Sequence, residues 1–156
     1  MRPADWIEDM DDEGMTLFVD PGDVSGFALF NHEGTFMAKD QADFEGMLTI
    51  LKDLSMTNLI TRIVVEDYRL RKGKQAQQTG SRFQAVQVIG ALKFYAHMMV
   101  IPLELANVQA KTLGSMYSGV KPPSDHKKSH EIDAYNIGIY WLVANDIIYP
   151  PTLKDI

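Results

Sequence analysis

Apolar residues along the chain come in short blocks whose spacing changes from segment to segment. Met15–Asp20 (M-T-L-F-V-D) is a compact apolar run closed by Pro21-Gly22, which predicts a buried strand stopped by a turn. Val24–Asn31 predicts a second strand, and His32-Glu33-Gly34 a tight turn into a third over Thr35–Ala38. Strands joined by such short turns pair antiparallel. The period then lengthens. Apolar residues at 44, 47, 48, 51 and 54 predict a helix over Phe44–Leu54, with Asp43 as its N-cap. Ile63–Glu66 (I-V-V-E) is again a buried strand, reached across a helix and so expected to run parallel to the first.

The second half alternates in the same way. Tyr68–Gly80 is a loop of Arg, Lys, Gln and Gly, and Thr79 or Ser81 caps a long helix running to about Met98. That helix carries Phe83, Val86, Val88, Ile89, Leu92, Phe94 and Tyr95, which cover more than one face. A helix of this kind packs against its own sheet and something further, another helix or a second subunit. Ile101–Leu105 predicts a strand, Asn107–Met116 a short helix and Ser118–Lys128 a loop. His130–Ala144 predicts the last helix, with an apolar face of Ile132, Ile137, Trp141 and Val143, and Pro150-Pro151 closes the ordered part. Strands alternating with helices give an α/β domain over residues 15–149, preceded by an acidic, flexible N-terminal tail at residues 1–14.

Charge changes this picture more than composition does. The 156 residues carry a net charge of −6, which at first argues against a nucleic-acid partner. Residues 1–68 hold 4 Lys/Arg against 15 Asp/Glu, but residues 69–130 hold 10 against 2. A basic middle inside an acidic chain is a polarised surface of the kind phosphate binding requires. The same lysines could also serve only to solvate long helices. With no cysteine, disulfides, thiolate zinc sites and a cysteine nucleophile are excluded, and a reducing cytoplasm suits the chain. No apolar run approaches the roughly 20 residues of a membrane span.

The candidate chemistry is acidic. Asp20 and Glu66 each end a strand, and His130 and Asp133 lie three residues apart at the start of a helix, on one face. Carboxylates brought to one sheet edge from distant places suit a hard divalent cation. Two such ions about 3.5–4 Å apart can activate a water and stabilise the leaving oxygen in phosphodiester cleavage. Taken singly, each residue has a plainer use. Asp-Pro-Gly is ordinary turn chemistry, Asp133 suits a helix dipole, and Lys111 could be a solvated helix lysine. A rival pair, Asp125 and His126, stands on a loop too pliant to fix a metal. Arg69, Arg71, Lys72, Lys74 and Arg82 are the basic residues best disposed to contact DNA phosphates, with Lys111 contacting phosphate or assisting the site.

Three stretches resemble the RuvC family of Holliday-junction resolvases, within the RNase H-like superfamily: L-F-V-D-P-G-x-x-x-G-x-A at 17–28, I-V-V-E at 63–66 and H-x-x-D-A at 130–134. L-E-L-A-N-V-Q-A-K-T at 103–112 is similar to the family's strand and lysine-bearing segment, and the likeness runs over residues 15–145. The resemblance implies an RNase H-like fold with a mixed five-stranded sheet flanked by helices. It implies that Asp20, Glu66, His130 and Asp133 are the metal and catalytic residues, using two Mg²⁺ ions for which Mn²⁺ substitutes. It further implies a cytoplasmic homodimer, joined through the helix 81–98, that nicks two strands of a four-way junction in DNA recombination, repair or phage DNA processing. The chain departs from the family at Arg69, where members often place an aromatic; Tyr68 is adjacent and can stack on a base. Two alternatives stay open, a YqgF-like nuclease acting on RNA and a non-catalytic DNA-binding module of the same fold. A sugar-kinase or actin-like ATPase would need two lobes, for which 156 residues are too few.

Overall fold

A computed structural model describes residues 14–68, 81–124 and 129–150. Its elements are β1 (Met15–Asp20), β2 (Val24–Asn31), β3 (Phe36–Asp43), α1 (Phe44–Ser55), β4 (Ile60–Glu66), α2 (Ser81–Met99), β5 (Leu103–Ala106), α3 (Ala110–Ser118) and α4 (Ser129–Ala144). The five strands form one mixed sheet in the order β3-β2-β1-β4-β5. β1 pairs antiparallel with β2 and parallel with β4, and β5 extends the parallel side. This is the mixed five-stranded sheet flanked by helices that the family resemblance implies.

Side-chain alternation divides the core in two. Leu17 and Val19 of β1, Phe27 and Leu29 of β2, and Ile63 and Val65 of β4 face one side, where α1 and α2 cover them. Phe18, Ala28, Phe30 and Val64 face the other, against α3 and α4. Every residue of β1 is buried, as a central strand covered on both faces should be. Asp20 shares the parity of Phe18, and Glu66 that of Val64, so both open on the α3–α4 side. β4 ends at Glu66, and the Asp67 amide donates to the Ala106 carbonyl at 2.8 Å.

The differences from the sequence expectations have local causes. β3 runs to Asp43 instead of ending at Ala38, because Lys39-Asp40-Gln41 lies on an edge strand and stays half-exposed. Asp43 ends β3 and also caps α1, its Oδ1 accepting from the Gly46 amide at 2.8 Å. β4 starts three residues before the predicted Ile63, and β5 is Leu103–Ala106 instead of Ile101–Leu105. α3 starts at Ala110 and not Asn107, because the Asn107 side chain closes a turn by accepting from the Gln109 amide; it ends at Gly119 with φ 70°. On α4, Ile137 is fully buried, but Ile132, Trp141 and Val143 are only partly so. Ala134, Gly138, Ile139 and Leu142 are buried beside it. No described helix is long and apolar enough to cross a membrane. The N-terminal tail to Glu13, the loop 69–80, the pair Asp125 and His126, and Pro151 lie outside the described residues.

Candidate active site

β1 and β4 run parallel, with Val19 beside Val65, so the next residues, Asp20 and Glu66, stand side by side at the strand ends. Both are buried, at 4% and 8% exposure, and buried carboxylates need partners. β2 brings the first. Gly26 is the register partner of Asp20, and the backbone of α4 at His130 lies directly against the Gly26 Cα, where no side chain would fit. The start of α4 is thereby seated over the end of β1. His130 Nδ1 meets Asp20 Oδ2 at 3.1 Å. Asp133, one turn along the same face, completes the acidic group.

The second partner is Lys111, in the first turn of α3. Its Nζ lies 3.3 Å from Glu66 Oε2, 3.4 Å from Asp20 Oδ1 and 3.9 Å from Asp133 Oδ2. One ammonium therefore stands among all three acids. It is held there because α3 and α4 approach very closely: Gly114 abuts the Asn136 backbone, leaving no space for a Cβ. Fully buried Asn136 also ties down the end of α3, accepting from Ser118 Oγ at 2.8 Å and donating to the Val120 carbonyl at 3.0 Å.

The electrostatics follow from burial and this geometry. Burial pushes the Glu66 carboxyl up, and the hydrogen bond it shares with Asp20 adds to this against the pull of Lys111, so it is raised to about 8. For Asp20 burial also acts upward, but hydrogen bonds from His130 and Glu66 and the Lys111 charge outweigh it, and the carboxyl is held below its usual range. The hydrogen bond to Asp20 raises His130 against the opposing effect of burial. Asp133 is raised by burial and by the Asp20 charge. At neutral pH the cluster thus holds a proton on Glu66, a lysine cation and an imidazolium-prone histidine. This donor set, three carboxylates with no sulfur, suits a hard divalent cation. The retained proton and the enclosed ammonium mark it as a place that takes up positive charge.

A cleft of about 500 Å³ adjoins the acids, lined by Lys111, Thr112, Met116, Lys121, Pro122 and Asp133 among others. Behind the site, Lys39 of β3 donates to Glu131 Oε1 at 3.1 Å, tying the first turn of α4 to the sheet edge.

The structure thus brings Asp20, Glu66, His130, Asp133 and Lys111 together. Tyr68 is half-buried and packs against the α1–α2 side of the core. Arg69, Arg71, Lys72 and Lys74 lie outside the described residues, as does the side chain of Arg82. Sequence reasoning missed Lys39, Glu131, Gly114 and Asn136. Gly26 stands in the quoted motif, but nothing in the motif says that a helix must touch it.

No protein-family model matches this chain, and no curated protein matches it. Among solved structures, T. thermophilus RuvC in complex with a Holliday junction substrate has a TM-score of 0.60 at 13% identity, covering 86% of this chain and 96% of that one. A second Thermus thermophilus RuvC structure has a TM-score of 0.58 at 15% identity, covering 85% and 96%. The likeness is one of fold, and the chain has the RNase H-like α/β architecture of RuvC.

Proposed function

We propose that the chain is a divalent-metal-dependent, structure-selective DNA endonuclease. It would resolve four-way junctions and related branched DNA by paired nicks, in recombination, repair or phage DNA processing. The observation that carries the reading is the gathering of Asp20, Glu66, His130 and Asp133, with Lys111 enclosed, at the carboxyl ends of two parallel strands. The fold shared with a RuvC structure that holds a Holliday junction substrate supports the choice of DNA.

Asp20, Glu66 and Asp133 would hold Mg²⁺ or Mn²⁺, which when bound supplies a water made nucleophilic and stabilisation of charge at the phosphate. The chain's own groups do the rest. Glu66, which keeps its proton in the metal-free protein, would give that proton up as it joins the carboxylates holding the metal. His130, with Nδ1 3.1 Å from Asp20 Oδ2, would be the group that hands a proton to the departing oxygen. Gly26 and Lys39 orient α4 so that His130 and Asp133 face the strand ends. The basic segment of Arg69, Arg71, Lys72, Lys74 and Arg82 would hold the DNA backbone, with Tyr68 beside it.

Paired nicks need two sites, and α2 offers a surface to join them. Ala85, Val88 and Leu92 of α2 are buried on the sheet, while Phe83, Val86, Phe94 and Met98 are exposed on its outer side. We read that side as the homodimer interface.

The test is cleavage of a panel of substrates in Mg²⁺ and Mn²⁺: four-way, three-way, flap and linear DNA, and an RNA hairpin. Symmetric nicking of the four-way junction is expected. Cleavage of the RNA hairpin alone would support a YqgF-like enzyme, and no nicking in either metal a non-catalytic module.

A further inference from the structure

Lys111 occupies the centre of the acid cluster, and it borders open space. We propose that its ammonium is the resident cation of the metal-free protein, that metal loading evicts it, and that it then turns into the adjoining cleft to take, with Lys121, a phosphate of the substrate backbone. The proposal rests on the metal-dependent reading above and adds to it a phosphate subsite and an order of loading.

Distances supply the first argument. The acids surround Nζ at 3.3, 3.4 and 3.9 Å, which is ammonium spacing. Mg²⁺ requires oxygens at about 2.0–2.1 Å. Among the described residues no three acids or histidines are drawn together as a ready-made ligand set. The acids stand around the lysine and can close on a metal only after it leaves.

Space and rigidity supply the second. Lys111 lines both the acid cluster and the 500 Å³ cleft, so rotation about its own side-chain bonds carries Nζ from one to the other. The wall need not move. α3 is fixed on α4 where Gly114 meets Asn136. Ser115 Oγ donates to the Val120 carbonyl at 2.9 Å and Asn136 to the same carbonyl at 3.0 Å, which anchors the chain just before Lys121.

The cleft's chemistry is the third. Its polar lining is Lys111, Lys121, Thr112 and Ser115, with Asp133 at the edge shared with the acids, and Met116 and Pro122 add apolar surface. Two lysines and two hydroxyl side chains in an otherwise largely apolar lining suit a phosphodiester with its sugar. A phosphate in the cleft draws Lys111 off the acids, and a metal on the acids drives Lys111 toward the phosphate. By linkage each must tighten the other.

Mn²⁺ affinity of the full chain tests this, measured by calorimetry with and without a phosphorothioate thymidine dinucleotide. The dinucleotide should tighten Mn²⁺ binding by wild type about tenfold. Lys111→Met should bind Mn²⁺ more tightly than wild type without the dinucleotide and gain nothing when it is added. Lys121→Gln should lose the enhancement too. Because Lys111→Met leaves the acids without their cation, Mn²⁺ should also raise its Tm by more than it raises that of wild type. The proposal is overturned if Lys111→Met binds Mn²⁺ no more tightly than wild type, or if it keeps the full enhancement. Mn²⁺ binding with either of those results removes this inference alone. No Mn²⁺ binding by either protein removes the metal-dependent reading with it.

Discussion

Gly26 of β2 and His130 of α4 touch backbone to backbone, with no room for a side chain between them. Gly26 is also the register partner of Asp20, so this one contact sets the His130 imidazole 3.1 Å from the Asp20 carboxylate. Gly26→Ala should therefore damage fold and site together. The added methyl meets a backbone carbonyl, which cannot rotate away as a side chain could, and overpacking of this kind costs about 1–3 kcal/mol. Urea denaturation should show that loss, and junction cleavage should fall by more than the unfolded fraction explains. An alanine variant with wild-type stability and rate would mean that α4 does not sit as described.

The proton on Glu66 gives a pH signature. Its carboxyl is raised from the ordinary 4.5 to about 8, so between those values the metal-free folded protein binds more protons than the unfolded chain. The stability this contributes is complete below 4.5 and is lost as pH rises through about 8. A divalent cation must displace the same proton. Affinity for Mn²⁺ should therefore tighten by about tenfold per pH unit on the way up to 8. Glu66→Gln, which keeps the shape of the protonated acid, should flatten both dependences. Calorimetry from pH 6 to 9 reads the first, and metal-free Tm the second.

Lys39 should matter although it lies behind the site. It pairs with Glu131, whose side chain is 11% exposed against 33% for Lys39. Lys39→Met leaves a nearly buried carboxylate without its cation, at a cost of about 1–3 kcal/mol. The double variant Lys39→Met/Glu131→Gln should recover much of that loss. A denaturation cycle on the four proteins measures it, and additive single effects would dismiss the pair.

The exposed side of α2 yields a test of assembly. Phe94 is 65% exposed and borders an apolar groove with Met98 and Leu48. Phe94→Glu should leave the monomer folded and prevent dimer formation, as light scattering after size exclusion would show. A monomeric wild type would remove the interface.

What the sequence made legible divides along physical lines. Strands β1, β2 and β4 were readable because each is a dense apolar run ended by turn residues or a carboxylate. The middle strands' parallel pairing followed from the helix between them, and that pairing predicts Asp20 and Glu66 as neighbours. β3 was cut short because an edge strand carries polar residues that look like a loop. The buried face of α4 is legible only in part: Ile137, Trp141 and Val143 do join the core, but Ala134 and Gly138 carry no hydrophobic signal, although small residues are what let the helix approach the sheet. The sequence shows Lys111 as a residue that could assist the site, but its place among all three acids depends on how α3 meets α4 at Gly114 and Asn136. Contacts of that kind between distant segments leave no local pattern.

If the buried acids at the ends of β1 and β4 cleave DNA with a divalent metal, removing their charge should stop nicking without weakening junction binding. Asp20→Asn and Glu66→Gln change charge with almost no change in shape, so the most direct measurement compares them with wild type on one four-way DNA junction. Nicking in Mg²⁺ and binding by gel shift are followed side by side. Both variants should bind the junction as wild type does, and neither should nick it. Wild-type nicking by either variant would mean that these acids do not carry the cleavage.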